Sequence, residues 1–312
     1  MIKFRPVHIF IVFLLILSSW AQAASQYSHV YVFGDSLSDT GNLSSIIGLF
    51  PPPFYMNRVS NGPVAVEILA NKLGLNADAS LHLIGPAVGT NYAVAGANAL
   101  GDEIIDLDSQ VFLFMANHGH VAPADALYVM MIGGNDVRSA RDDLDFNSAK
   151  NTVRAAVARV KLAIMALAQS GAHSFLVVNP ANIGITPEAH LLAASLDEPK
   201  LIKRSRKLSQ VFRVALHQAL NDLSYTSDLQ LIEFDLFKFF NKRVKQADRF
   251  GITNTTDACF NRDTFIFHVD CDSGLNFDQF FFFDDLHPTA RVHMLLGDAL
   301  YEALERTREK RR

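Results

Sequence analysis

Short, mainly apolar runs alternate with longer stretches of helical spacing along most of this chain. Val30–Phe33, Leu127–Ile132, Phe175–Val178 and Leu229–Phe234 have strand length and the near-continuous apolar character of strands covered on both faces of a parallel sheet. Between them, Val153, Val157, Val160, Ile164 and Leu167 recur at helical spacing, and Gly171 is placed to stop that helix. Leu201–Leu223 continues the pattern, with Lys203, Arg204, Arg206 and Lys207 on a polar, solvated face. Val292, Leu295, Leu296, Ala299, Leu300 and Ala303 form the apolar stripe of a last helix, which Pro288 is suited to start. Basic residues at its end, in Arg306 to Arg312, complement the negative end of the helix dipole. Alternating β and α elements predict a doubly wound, three-layer α/β/α fold with its site at the carboxyl ends of the strands.

The first residues stand outside this pattern. Lys3 and Arg5 precede an unbroken apolar run, Ile9–Leu17, and Ala21-Gln22-Ala23 is a small-x-small cleavage signature. Residues 1–23 therefore read as a signal peptide, and 24–312 as one exported domain. The run is too short for a comfortable membrane span. The whole chain carries 28 basic and 32 acidic residues; without Lys3 and Arg5 the balance is 26 to 32, a net charge of −6. That balance argues against nucleic acid as a partner. Cys259 and Cys271 are the only cysteines, and export makes a disulfide the expected state. There is no CxxC or HExxH motif, and the eleven histidines lack metal-ligand spacing, so neither a metal site nor a cofactor is expected.

Three strand-like runs end in chemistry-bearing residues. Val30–Phe33 runs into Gly34-Asp35-Ser36, and Leu127–Ile132 into Gly133-Gly134-Asn135-Asp136. The aromatic run Phe280–Phe283 runs into Asp284-Asp285-Leu286-His287, and Gly96 sits in a small-residue loop. In a parallel sheet such ends converge on one rim. Acyl transfer needs this set: a serine hydroxyl is a poor nucleophile until a base takes its proton, and His287 can be that base. An acid must hold the imidazole, and both Asp284 and Asp285 are near enough in sequence. Backbone N–H groups of Ser36 and Gly96 and the amide of Asn135 are donors of the kind a tetrahedral oxyanion requires. Taken singly, Gly-Asp-Ser is also a turn, Gly-Gly-Asn-Asp a loop, and His287 a surface residue near a helix start.

The blocks "FGDSLSDTGN", Gly96, "GGND" and "DDLHP" resemble, in order, the four sequence blocks of the SGNH, or GDSL, hydrolases. The resemblance spans nearly the whole mature chain and implies a flavodoxin-like α/β/α fold. It implies Ser36 as nucleophile, Ser36, Gly96 and Asn135 as oxyanion donors, and His287 as base. Its D-x-x-H spacing selects Asp284 over Asp285.

The layout is similar to the secreted bacterial lysophospholipases and glycerophospholipid:cholesterol acyltransferases within that family. The expected function is hydrolysis of fatty acyl esters of lysophospholipids at a membrane surface, with phospholipase A action or acyl transfer to an alcohol as a side activity. Two apolar stretches are read in the same sense. Phe280–Phe283 either lines an acyl site or is a buried core turn. The loop between the cysteines, with Phe260, Phe265, Ile266, Phe267 and Val269, is either a lid that an activating protease could open or a stapled surface loop. The alternatives are a carbohydrate O-acetyl esterase or general short-chain esterase, and a binding protein on an inactive hydrolase scaffold.

Overall fold

A computed structural model describes residues 26–310. The signal-peptide reading lies outside the described residues. In chain order the elements are β1 (Val30–Gly34), α1 (Asn42–Ile47), α2 (Ala65–Lys72), α3 (Leu107–Asn117), β2 (Leu127–Met131), α4 (Gly134–Arg141), α5 (Phe146–Gln169), β3 (Ser174–Val178), α6 (Pro187–Ser195), α7 (Lys200–Thr226), β4 (Gln230–Phe234), α8 (Leu236–Lys245), β5 (Asn254–Ala258), β6 (Phe260–Asn261), β7 (Ile266–Phe267), β8 (Phe280–Phe282) and α9 (Ala290–Glu309). The four expected strands pair in parallel in the order β1-β2-β3-β4, with Gly34, Met131, Val178 and Phe234 in register at their carboxyl ends.

Side chains alternate between the sheet faces, so each strand feeds two cores. Tyr31, Phe33, Tyr128, Met130, Phe175 and Val177 pack against the apolar stripes of α3, α5 and α7. Val30, Val32, Leu127, Val129, Leu176, Val178, Ile232 and Phe234 pack against α2, α8 and α9. This double covering is why β1, β2 and β3 lack any polar alternation. Strand order climbs monotonically from β1 to β4, but a backbone segment on the outer side of β1 reverses it. Thr90 O accepts from Val32 N–H, and the N–H groups of Tyr92 and Val94 donate to Val32 and Gly34. Chain order thus switches direction at β1, and in such sheets the crevice at the switch is where ligands bind.

The last helix begins later than its proline signal predicts. Pro288 lies outside α9 and bridges Phe282, while Thr289 donates from its N–H to Phe281 O and from its hydroxyl to Phe280 O. Only then does the helix start, at Ala290, whose N–H is satisfied by Asn61 Oδ1 at 2.8 Å. Two further contacts join this region to residues 60–65. Ser60 Oγ donates to Pro288 O at 2.9 Å, and Ala65 N–H donates to His293 Nδ1 at 3.2 Å. His293 can accept because burial lowers its pKa to about 3 and keeps the ring neutral.

Outside the main sheet, β5 pairs with β8, and β6 with β7 in a small hairpin. The hairpin lies inside the loop closed by the Cys259–Cys271 disulfide, whose Cα atoms are 5.4 Å apart. All four residues of Phe280–Phe283 are buried. Phe281 packs edge-on against Phe240, and Phe283 against Phe54, Phe260 and Phe277. The aromatic run is therefore core, and it borders neither cleft described below.

Candidate active site

β1 ends in Gly34 and turns at once. Asp35 O accepts the N–H groups of Ser38 and Asp39, which holds Ser36 at the head of the turn. At the far end of the chain, the segment after β8 carries Asp284 and His287. The structure brings these ends together: Ser36 Oγ lies 2.8 Å from His287 Nε2, and His287 Nδ1 lies 2.8 Å from both carboxylate oxygens of Asp284. With Nδ1–H donated to the carboxylate, Nε2 is left to accept the serine hydroxyl. Asp284 Oδ1 also accepts the backbone N–H groups of Leu286 (2.9 Å) and His287 (2.6 Å). Burial alone would raise this fully covered carboxyl; the charge and hydrogen bonds of His287, with Arg262 behind, hold it below its ordinary pKa. It stays ionised, as an acid that steadies an imidazolium must.

Asp285, the neighbour that sequence spacing could not exclude, turns elsewhere. Its Oδ1 is 3.2 Å from Arg262 Nη2, and its backbone carbonyl accepts from Glu188 N–H. Burial and the adjacent Asp284 charge raise its pKa. Asp35 is a further buried acid. It accepts from Leu37 N–H at 3.1 Å and from Gly134 N–H, and burial pushes its carboxyl up to about 6.

Backbone and side-chain donors lie beside Ser36. Between residues 95 and 100 nearly every backbone N–H has an internal acceptor. Ala95 donates to Asp39 Oδ2, Ala97 to Val94 O, Asn98 to Asp106 Oδ1, and Ala99 and Leu100 to the two oxygens of Asp136. Gly96 N–H has no partner among the described residues, nor does Ser36 N–H. Gly96 adopts φ +92°, a region that L side chains rarely occupy. Asn135 supplies the third donor, from the first turn of α4. One hydrogen of its Nδ2 goes to Ala97 O at 2.9 Å, and its Oδ1 accepts from Arg138 Nη1 at 3.2 Å, which fixes the amide's orientation. Arg138 is held in turn by Glu188 Oε1, at 3.2 and 3.0 Å, and Glu188 also binds Arg141. Gly133 makes the entry to α4 possible: its φ is +117°, and a Cβ there would sit 2.4 Å from the Phe212 ring.

Two clefts meet at Ser36, Asn135, Arg138, Leu286 and His287. The first runs toward the sheet and is lined by apolar groups, including Leu37, Met131, Ile132, Ile183, Leu236 and Phe240. The second opens between Leu43, Phe50, Pro51, Phe54 and Val59 on one side and Arg262 on the other. The apolar residues of the cystine loop do not cover either. Ile266 and Phe267 border a separate groove against Pro187, His190, Leu191 and Ala194 of α6. What the loop sends to the site is Arg262. Among the described residues no group of histidine, cysteine or acidic side chains could hold a metal ion.

Sequence reasoning brought forward Ser36, Gly96, Asn135, Asp284 and His287, and the structure gathers all five at one rim. It did not bring forward Asp39, Asp136, Arg138, Glu188 or Arg262. Asp39 and Asp136 lay inside the quoted blocks, but the N–H groups by which they bracket Gly96 are far away in sequence: Ala95 is 56 residues from Asp39, and Ala99 is 37 from Asp136.

Comparisons with known proteins give the family. A family model for GDSL-like lipases and acylhydrolases matches residues 30–300. The chain is 28% identical over 249 residues to a phosphatidylcholine-sterol acyltransferase of Aeromonas hydrophila, covering 77% of this chain and 68% of that one. It is 23% identical over 303 residues to a thermolabile hemolysin of Vibrio parahaemolyticus, covering 93% and 67%. Among solved structures, a catalytic mutant of an acetylxylan esterase from Geobacillus stearothermophilus aligns with a TM-score of 0.46 and 14% identity, over 89% of this chain and 94% of that one. The matched span runs from β1 into α9, so it takes in both the sheet that presents Ser36 and the segment that carries His287: the chain belongs to the family of GDSL-like lipases and acylhydrolases, and it is an ester hydrolase.

Proposed function

We propose that this protein is an exported serine hydrolase that cleaves fatty acyl esters of lysophospholipids. The observation that carries the catalytic part is the unbroken line from Ser36 Oγ through His287 to Asp284, facing three donors of which two are otherwise unengaged. His287 Nε2 takes the hydroxyl proton as Oγ attacks the ester carbonyl, and the carbonyl oxygen becomes an oxyanion held by Ser36 N–H, Gly96 N–H and Asn135 Nδ2. Collapse returns the proton to the leaving alkoxide and leaves an acyl-Ser36 ester. Water, activated by the same imidazole, then releases the fatty acid.

The fatty acyl part rests on the first cleft, whose lining is mainly aliphatic and aromatic, with Asp35, Asn135, Arg138 and Thr186 as its polar members beyond Ser36 and His287. Each methylene buried there contributes about 0.8 kcal/mol of binding. An acyl-enzyme captured by an alcohol in place of water gives acyl transfer, the reaction named for the Aeromonas relative.

The test is a substrate panel of lysophosphatidylcholine, diacyl phospholipid, short p-nitrophenyl esters and acetylated sugars, run with native protein and Ser36→Ala. Long-chain lysophospholipid is expected to be the preferred substrate, with turnover abolished in a folded Ser36→Ala variant. Preference for acetylated sugars would replace the lipid reading with that of a carbohydrate esterase.

A further inference from the structure

Two arginines border the wider cleft. Arg138 comes from α4 and Arg262 from the cystine loop, and each lines this cleft together with Ser36 and His287. Both remain partly open, with 29% and 34% of their side-chain surface exposed. Their acidic partners are set deeper. Glu188 is 13% exposed and is shared between Arg138 and Arg141, two cations to one carboxylate. Asp284 is wholly covered, is already met by His287 and two backbone N–H groups, and stands 3.8 Å from Arg262, outside hydrogen-bond distance. Asp285 alone pairs closely with Arg262. The opposite wall, Leu43 to Val59, contributes apolar side chains and no acid. A molecule seated here therefore meets guanidinium groups and hydrocarbon.

Guanidinium is suited to this position by its shape. Its fixed fork of N–H donors matches phosphate oxygens two at a time and is desolvated more readily than an ammonium group. The narrower cleft is lined by one cation, Arg138 at the shared mouth, which is paired with Glu188. The two sides of Ser36 thus differ, one mainly apolar and the other joining hydrocarbon to the guanidinium of Arg262, as the two halves of a lysophospholipid differ.

The geometry points to the wider cleft as the seat of the alcohol half of the substrate, with Arg138 and Arg262 binding an anionic phosphate a few bonds from the scissile ester. This rests on the lysophospholipid reading and adds to it a basis for choosing among fatty acyl esters. It also gives the cystine loop a part in substrate selection. A monoacylglycerol would fill the apolar cleft equally well and leave Arg262 to water.

The experiment uses two substrates with the same acyl chain, lysophosphatidylcholine and monoacylglycerol, in the same detergent micelles. Native protein is compared with Arg262→Gln and Arg262→Lys. The ratio of kcat/KM for the phosphate-bearing over the neutral substrate is expected to fall about tenfold in Arg262→Gln, mainly through KM, as for loss of one charge-assisted contact. Arg262→Lys should restore part of it. An unchanged ratio overturns the inference while leaving lysophospholipid hydrolysis intact. Equal losses on both substrates overturn it too, and make Arg262 a positioning residue behind Asp284. Glycerophosphocholine should compete in the native protein and about tenfold more weakly in Arg262→Gln. If inorganic phosphate competes as well as glycerophosphocholine, the site takes the free ion and the headgroup assignment falls. If neither lipid is cleaved but acetylated sugars are, the proposed function fails and this inference with it.

Discussion

Replacing Asp39 by asparagine should damage both stability and turnover, for one structural reason. The carboxylate is 1% exposed and accepts four backbone N–H groups. Oδ1 takes those of Gly41 and Asn42, both at 2.7 Å, and Oδ2 takes those of Leu43 at 3.0 Å and Ala95 at 2.8 Å. An asparagine amide has one acceptor oxygen. Whichever way it is turned, two N–H groups lose their acceptor and face an NH2 group. A hydrogen bond to a charged group contributes about 1.5–3 kcal/mol net, so the loss is about 3–6 kcal/mol. That is a large part of the roughly 5–15 kcal/mol that holds a domain folded. At about 2–4 °C per kcal/mol for a domain somewhat smaller than this one, Tm should fall by about 10 °C. Ala95 is also the anchor next to Gly96, so kcat should fall at least about tenfold, a fraction of the hundredfold or more that a whole oxyanion donor contributes. The assay is thermal unfolding by circular dichroism, followed by kinetics on a soluble short-chain ester well below the variant's Tm. A Tm within about 2 °C of native would refute the energetic argument. A large drop in Tm with unchanged kcat would refute the claim that Asp39 positions Gly96.

Other predictions follow from the same geometry. Asp284→Asn should lose several orders of magnitude in kcat, as other triad replacements do, whereas Asp285→Asn should lose far less, since only Asp284 touches His287; equal losses would contradict this. Asn135→Ala should lower kcat about a hundred- to a thousandfold with little change in KM, and a defect confined to KM would make Asn135 a substrate-binding group. Asp35 has a folded pKa of about 6 against 3.8 for the free side chain, so its contribution to stability is present below pH ~4 and lost as pH rises through about 6. The stability of Asp35→Asn relative to native should therefore improve by about 2 kcal/mol between pH 4 and pH 7 in urea unfolding. Parallel pH profiles would show that burial does not perturb Asp35.

The main sheet was legible because β1, β2 and β3 are covered on both faces, and a buried strand writes its burial into consecutive apolar residues. β5, with the sequence Asn-Thr-Thr-Asp-Ala, carries no such record, because it pairs only with β8 and lies partly in solvent. The segment near Asn91 that sits outside β1 pairs with it through backbone hydrogen bonds and is fastened by the amides of Asn42 and Asn91, whose partners are main-chain groups distant in sequence, so its place next to β1 could not be read. Ser36, His287 and the paired acids stood out as residue types at strand ends, and the choice of Asp284 came from the D-x-x-H spacing that the family resemblance implies; the structure sets these three in hydrogen-bond contact. The brackets around Gly96 were not, since a carboxylate whose partners are distant N–H groups looks like any turn aspartate. Phe280–Phe283 left both of its readings open. Apolar residues beside a catalytic acid fit an acyl pocket and a core strand equally well, and only packing against Phe240, Phe54 and Phe277 separates the two.

The acid and base arrive together, three positions apart in one turn, while the serine they serve lies 251 residues earlier than His287. The turn that carries them is fastened to the front of the chain by Ser60, Asn61 and Ala65. A nascent chain, or one held unfolded in transit, therefore carries an ordinary hydroxyl with no base beside it. Nothing in the first strands and helices can cleave an ester, however well they have folded. The Ser36–His287–Asp284 arrangement is therefore complete only when the last segment docks, which makes it a property of the finished fold and of no part of it.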